Sequence, residues 1–191
     1  MHAKVVDITD QQMLDSCARQ DRQGQRQLYE KYYATMVWVC YRYVKDKDLS
    51  EDLVHEGFIK VFRHIERFRN QGSLEGWIKR IMINVCLDYL RKQGRWQDEL
   101  PLVYAEAEAV PAQAVDQLQA DYIVECIQQL PPLLRSVFNL NVVEGYPHKE
   151  IGKMLSLKES TSRAYLSEAK KRLREVLQHY GSDHKKIQRN G

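Results

Sequence analysis

Arg163, Lys170, Lys171, Arg172 and Arg174 crowd one segment near the end of a 191-residue chain, where the apolar residues recur at helical spacing. Leu166, Ala169, Leu173 and Val176 mark a buried face from Ser160 onward, and the cations share the other faces with Ser160, Thr161 and Ser167. A cationic helix face of this kind makes no bonds; it binds anions, and a regular row of phosphates suits it. The hydroxyls of Ser160, Thr161 and Ser167 add donors and acceptors for base edges. The fork of Arg163 matches guanine O6 and N7. Residues early in such a helix reach bases, so Ser160, Thr161, Arg163, Ser167 and Lys170 are the base-reading candidates. Lys171, Arg172 and Arg174 fall later, nearer a phosphate backbone.

Two short apolar helices precede this one, as a helix-turn-helix requires. Pro131 and Pro132 suit a first helical turn, where a missing N–H is harmless. Leu134, Val137, Phe138 and Asn141 follow at helical intervals, and Gly145 stops the run. His148 to Leu155 forms a short helix with Ile151 and Leu155 facing inward and Gly152 leaving room for a close approach. Ser156, Leu157 and Lys158 make the turn. The plain alternative is a helical hairpin with a solvated basic face.

The net charge of +3 hides an asymmetry: +4 over residues 1–95, −7 over 96–134 and +6 over 135–191. Two basic blocks therefore flank an acidic stretch suited to avoiding phosphate. That stretch, 96–118, holds Pro101, Pro111 and an Ala/Glu-rich centre without helical periodicity, and reads as a flexible linker. A hydrophobic content of 43% supports folded cores. No apolar run approaches the roughly 20 residues of a membrane span, so no membrane insertion is expected. The first residues, MHAKVVDITDQQ, carry no secretory pattern. Cys17, Cys40, Cys86 and Cys126 are far apart and sit among apolar neighbours, so each reads as a small buried hydrophobe. These features point to the cytoplasm.

The first block reads as helices throughout. Asp10 to Arg19 forms a short one. Gln25 to Lys45 carries Leu28, Tyr32, Met36, Val39 and Tyr43 at helical spacing. After a turn at Asp46-Lys47-Asp48, Asp48 serves as N-cap of a helix whose apolar face runs from Leu49 through Leu53, Val54, Phe58, Val61, Phe62 and Ile65 to Phe68. Glu51 and Asp52 suit its first turn through the helix dipole. Asn70 to Ser73 breaks the run. Leu74 to Arg91 is a further helix, with Trp77, Ile78, Ile81, Val85 and Leu90 inward and Lys79, Arg80, Asn84, Asp88, Arg91 and Lys92 on its polar face.

The string DLSEDLVHEGFIKVFRHIERF (Asp48–Phe68), followed by GSLEGWIKRIMINVCLDYLRKQGR (Gly72–Arg95), resembles conserved region 2 of bacterial sigma factors. The C-terminal string resembles sigma region 4. Two regions and a short linker, covering about residues 20–95 and 119–178, resemble the extracytoplasmic-function (ECF) group of the sigma-70 family. Two departures stand out. Glu168 occupies a position of the third helix where the family commonly has a base, and the turn SLKES lacks the usual glycine.

The resemblance implies an all-α fold of two small helical domains: region 2 over 10–95 and a region 4 helix-turn-helix over 119–180. It implies binding to core RNA polymerase through its β′ and β subunits, with Asp48, Glu51, Asp52 and Glu56 facing a β′ coiled coil. It implies that the loop from Arg69 to Ser73, with Lys79, Arg80 and Asn84, meets the non-template strand of the promoter −10 element. There the Asn84 amide can capture an unstacked base, while Arg91, Lys92 and Arg95 hold phosphate. Region 4 would read the −35 element, and an anti-sigma factor would be a further partner.

No Gly-rich phosphate loop, paired metal ligands or nucleophile–base pair is legible, so neither an enzyme nor a cofactor, metal or small-molecule substrate is expected. His55 and His64 stand nine residues apart, which is not ligand spacing. His148 reads as a surface residue. Two other readings stay open: a stand-alone helix-turn-helix regulator, and a sigma-like module that binds a regulatory protein. The tail from Tyr180 reads as polar and frayed.

Overall fold

In the computed structural model, the described residues are 8–69, 72–94 and 120–187. They form helices, and the chain divides into two compact units, one through Tyr89 and one from Leu90. The linker expected at 96–118 and Arg95 lie outside the described residues.

The first unit holds α1 (Ile8–Ala18), α2 (Arg22–Val44), α3 (Lys47–His64) and most of α4 (Leu74–Lys92). Asp21 caps α2 by accepting from the backbone N–H of Gln23 and Gly24, both at 3.2 Å. Gly24 therefore lies inside the first turn of α2 rather than ahead of it. It is buried there, and an added Cβ would fall 2.4 Å from the Ser16 Cβ. At the other end Lys45 takes the left-handed conformation (φ 63°) and reverses the chain.

The cap of α3 corrects the sequence expectation. Asp46, not Asp48, accepts from the Leu49 N–H at 3.0 Å. The left-handed Lys45 completes the reversal one residue earlier than a three-residue turn would, so the helix starts at Lys47. Asp48 then sits exposed in the first turn, where the dipole favours its charge. α3 ends at His64, and a short 3-10 turn, Ile65–Arg67, carries the chain to Phe68.

Leu28, Met36, Cys40, Tyr43, Val54, Phe58, Val61, Ile78, Met82, Ile83 and Cys86 make the core of this unit. The inward face of α4 is wider than expected. Leu74, Met82, Ile83, Cys86 and Leu87 are buried with Ile78, Val85 and Leu90, whereas Trp77 and Ile81 are half-buried. Gly57 allows the close approach of α3 and α4, since a Cβ there would meet the Met82 sulfur at 2.1 Å.

The second unit holds α5 (Ala120–Gln128), α6 (Pro132–Phe138), α7 (His148–Leu155) and α8 (Glu159–Ile187). α5 is not among the helices expected from the sequence, although Ile123, Val124, Ile127 and Leu130 recur at helical spacing; its buried Cys126, Ile127 and Gln128 lean on the rest of the unit. Pro131 and Pro132 open α6 as expected. A single π turn, Asn139–Val143, follows it, and Gly145 at φ 76° ends the run. The Asn141 side-chain amide secures that end by donating to the Tyr146 carbonyl at 3.0 Å. The backbone of α8 stays helical through Ile187, well into the segment expected to fray, since no proline interrupts it.

Candidate nucleic-acid and docking surfaces

α7 and α8 build the helix-turn-helix. Ile151, Gly152 and Leu155 are buried on α7, and Ser162, Tyr165, Leu166, Ala169 and Leu173 are buried on α8. Ser156 takes φ 57°, the left-handed conformation that a glycine would usually supply, and the Leu157 N–H donates to the Gly152 carbonyl at 2.8 Å. The turn thus closes without glycine at that position. Gly152 faces this turn: a Cβ on it would stand 2.7 Å from the Leu157 carbonyl oxygen.

On the outer side of α8, Ser160, Arg163, Lys170 and Lys171 are exposed, and Thr161 and Ser167 are half-buried. Ser160, Arg163, Ser167, Lys170 and Lys171 lie together on this side, and Thr161 lies on its margin. Arg163 is tied to Glu159, one turn earlier, with Nη2 2.6 Å from Oε1. Glu168 is likewise tied to the Arg172 Nε at 2.7 Å, so its charge is balanced locally. Beside this face the His148 ring shares a 2.9 Å hydrogen bond with the buried Ser162 hydroxyl. Its proton affinity is lowered by burial first and then by Arg163, with Lys170 adding to the effect and Glu159 opposing it. His148 is therefore half-buried and anchored rather than a simple surface residue.

In the first unit Asp48, Asp52 and Glu56 line one exposed stripe of α3, while Glu51 is half-buried at its margin. Glu56 pairs with Lys60 at 2.8 Å. Glu51 turns toward an aromatic cluster: the Tyr33 phenol bonds to it and is held above its ordinary pKa by burial first and then by that carboxylate. Tyr29 and Tyr33 lie 5.0 Å apart between ring centres, and the Tyr29 hydroxyl shares a 3.2 Å hydrogen bond with His55 Nδ1. Ile59, 58% exposed, continues the acidic stripe one turn beyond Glu56. The sequence reading missed Tyr29, Tyr33, His55 and Ile59 as members of this surface. Ile59 had a signal: it stands three residues after Glu56 and seven after Asp52, on the polar side.

On α4 Arg80, Asn84, Arg91 and Lys92 are exposed and Lys79 is half-buried. Arg80, Asn84 and Arg91 share a stripe; Lys79 and Lys92 stand off it. The Ser73 hydroxyl accepts from the Gly76 N–H at 3.0 Å and caps the helix. Two residues of the preceding loop, 70 and 71, lie outside the described residues. Phe68 and Trp77, on either side of that loop in the sequence, lie with ring centres 5.7 Å apart.

All four cysteines are buried and reduced. Burial raises the Cys17 thiol to about 11, and a hydrogen bond to Cys40 with burial raises Cys86, so neither offers a thiolate at neutral pH. Among the described residues no group of three or more His, Cys, Asp or Glu could hold a metal, and no helix is long and apolar enough to cross a membrane.

Two family profiles match the chain: sigma-70 region 2 over residues 28–95 and sigma-70 region 4 over residues 120–173. The chain is 33% identical over 154 residues to the ECF RNA polymerase sigma factor SigE of Mycolicibacterium smegmatis, covering 76% of this chain and 58% of that protein. It is 27% identical to the RNA polymerase sigma-H factor of Pseudomonas aeruginosa, covering 88% of this chain and 94% of that one. To the ECF RNA polymerase sigma-E factor of Haemophilus influenzae it is 26% identical, covering 90% and 96%. Among solved structures, it resembles the sigma factor RpoE of Bartonella quintana in complex with the anti-sigma factor NepR. That match has a TM-score of 0.53 and 20% identity, covering 80% of this chain and 96% of that one. CnrH in complex with the cytosolic domain of CnrY gives a TM-score of 0.50 at 15% identity, covering 87% and 96%. At these identities the two structures speak for the fold alone.

Proposed function

Since the chain belongs to the ECF group of the sigma-70 family, we propose that it binds core RNA polymerase, directs it to specific promoters and helps melt the −10 region. The observation that carries this reading is the pairing, in one chain and in this order, of region 2 and region 4, each on its own helical unit. A helix-turn-helix alone would serve any DNA-binding regulator. A stand-alone regulator has no use for the α3 stripe of acids.

Each surface then takes a task. The α3 stripe of Asp48, Asp52 and Glu56, with Glu51 at its edge, docks on the β′ subunit. Lys79, Arg80 and Asn84 on α4 meet the opened −10 strand, and Phe68 and Trp77, which flank the loop in the sequence, supply rings on which a captured base stacks. Such stacking contributes about 1–3 kcal/mol per base. Arg91 and Lys92 neutralise phosphate, which fixes register without reading sequence. The first turns of α8 read the −35 duplex through Ser160, Thr161, Arg163, Ser167 and Lys170, and Lys171 steadies the backbone. No step needs a bond made or broken by this protein. Its contribution is differential binding: opened strands are held where closed ones are not.

We assign region 2 to residues 10–95, the linker to 96–118 and region 4 to 119–180, with the cytoplasm as the site of action. The partners are core polymerase through β′ and β, promoter DNA, and an anti-sigma factor that covers one or both surfaces. Size-exclusion chromatography with core polymerase tests the reading. Co-elution at moderate salt is expected. A chain that binds duplex DNA but never co-elutes is a stand-alone regulator instead.

A further inference from the structure

We propose that Glu159 is a positioning residue: it holds the Arg163 guanidinium in the orientation that reads a base, and so sets preference at one base pair of the −35 element. This rests on the reading of α8 as the base-reading helix.

The pair occupies the first turns of α8, the part of such a helix that reaches base edges. Glu159 Oε1 and Arg163 Nη2 are 2.6 Å apart, with the side chains 45% and 64% exposed. Tyr165 is buried on the far side of the helix and Leu166 is buried at the inner margin of the pair's own stripe, while Glu159 and Arg163 both stay exposed. An exposed pair one turn apart contributes little to stability, so holding the helix together does not explain its placement. The dipole favours an acid in the first turn. It does not require that acid to grip the arginine one turn on.

The grip has a chemical consequence. A guanidinium is a flat fork with five N–H donors. With one N–H engaged by the carboxylate, the swing of the fork is restricted and its remaining donors are left for the two acceptors of a guanine edge. A freed Arg163 has a second choice. It can swing to a neighbouring phosphate, where it adds affinity and no sequence information. Glu159 opposes that swing in two ways, by holding the fork and by placing a negative charge beside the phosphate path. Affinity for all DNA falls somewhat, and discrimination rises.

Glu168, the acid that departs from the family pattern, does not share this role. It pairs with Arg172 at 2.7 Å, nine residues further along the helix and past the first two turns. The first acid, which looks unremarkable in the sequence, is the one beside the base-reading side chain.

The test uses holoenzyme reconstituted from core polymerase and the full chain, as wild type, Glu159→Ala, Glu159→Gln, Arg163→Ala and the Glu159→Ala/Arg163→Ala double variant. Binding is measured on promoter fragments carrying every single substitution in the −35 element, at several salt concentrations. Arg163→Ala should flatten preference at one base pair. Glu159→Ala should reduce preference at that same base pair about five-fold or more, tighten binding to unrelated DNA, and steepen the salt slope by up to about one as Arg163 joins the phosphates. Glu159→Gln, which keeps an acceptor, should restore part of the preference. The double variant should discriminate no worse than Arg163→Ala, because the acid acts through the arginine. If Arg163→Ala relaxes the preference and Glu159→Ala leaves it intact, the inference is overturned and the base-reading helix stands. If Glu159→Ala relaxes a different base pair, the acid reads DNA itself and the positioning role is wrong. If neither variant changes any preference, the reading of α8 fails as well.

Discussion

Gly152→Ala isolates the geometry on which the helix-turn-helix depends. The added Cβ would lie 2.7 Å from the Leu157 carbonyl oxygen and 3.7 Å from the Glu159 backbone nitrogen. Both are backbone atoms, so no flexible side chain can move aside. The chain leading into that carbonyl is already constrained, because the Leu157 N–H is committed to the Gly152 carbonyl at 2.8 Å and Ser156 holds a left-handed conformation. Forcing a methyl into such packing costs about 1–3 kcal/mol. Alanine in place of glycine within a helix returns about 0.5–1 kcal/mol. The net expectation is a loss centred near about 1 kcal/mol and reaching at most about 2.5 kcal/mol, confined to the second unit. For a domain of this size that lowers the melting midpoint by roughly 4–8 °C per kcal/mol. Calorimetry of the full chain should show one transition moved down by that amount and the other unmoved. Binding to a −35 duplex should weaken too, since the turn sets the angle at which α8 leaves α7. A variant that melts at or above the wild-type temperature would refute this reasoning, because it would mean the turn relaxes freely around the methyl.

Three further perturbations probe the other surfaces. Asp52→Lys with Glu56→Lys reverses the acidic stripe of α3 and should weaken core polymerase binding ten-fold or more with unchanged helicity; the exposed Glu56–Lys60 pair it also removes is worth only about 0.3–0.5 kcal/mol. Unchanged binding at moderate salt would place the docking surface elsewhere. Asn84→Ala should slow promoter opening, read by permanganate reactivity of unpaired thymines, more than it weakens the closed complex; equal losses at both steps would make the amide structural. His148 supplies a pH dependence. Its proton affinity is lowered in the folded state, so the unfolded chain takes up the proton first and the second unit loses stability as pH falls through the ordinary histidine value of about 6.5 and then through the lowered folded value. Thermal melts between pH 8 and 5 should show that decline in the wild type and a shallower one in His148→Gln; identical slopes would remove His148 from the account.

Periodicity and punctuation made much of this fold legible. α7 falls at His148–Leu155 because a proline precedes it, Ile151 and Leu155 stand one turn apart, and polar residues follow. The pair of prolines before α6 is equally direct. Elsewhere two chemically equal choices stood side by side. Asp46 and Asp48 are both good caps, and only the left-handed Lys45, which no sequence rule favours, selects the first. Ser156 repeats the lesson, since a non-glycine residue accepts a conformation that looked like a reason for doubt. α5 was equally legible, since Ile123, Val124, Ile127 and Leu130 recur at helical spacing, but it lies ahead of the prolines from which the helix-turn-helix was traced. The sites divide in the same way. The cations of α8 and the acids of α3 are visible as patterns on one helix. The Tyr29–Tyr33–His55 cluster joins two helices, and the Glu159–Arg163 contact depends on rotamers, so neither follows from spacing alone.

Run-off transcription reads promoter-specific initiation itself. Core polymerase, the purified chain and a library of promoter-bearing templates are combined, and transcript starts are mapped. Discrete starts are expected that require the chain, share −35 and −10 sequences, and vanish with the α3 charge reversals. A chain that binds core polymerase or DNA yet yields no chain-dependent starts on any template would contradict it, and would leave a sigma-like module that acts on a regulatory protein.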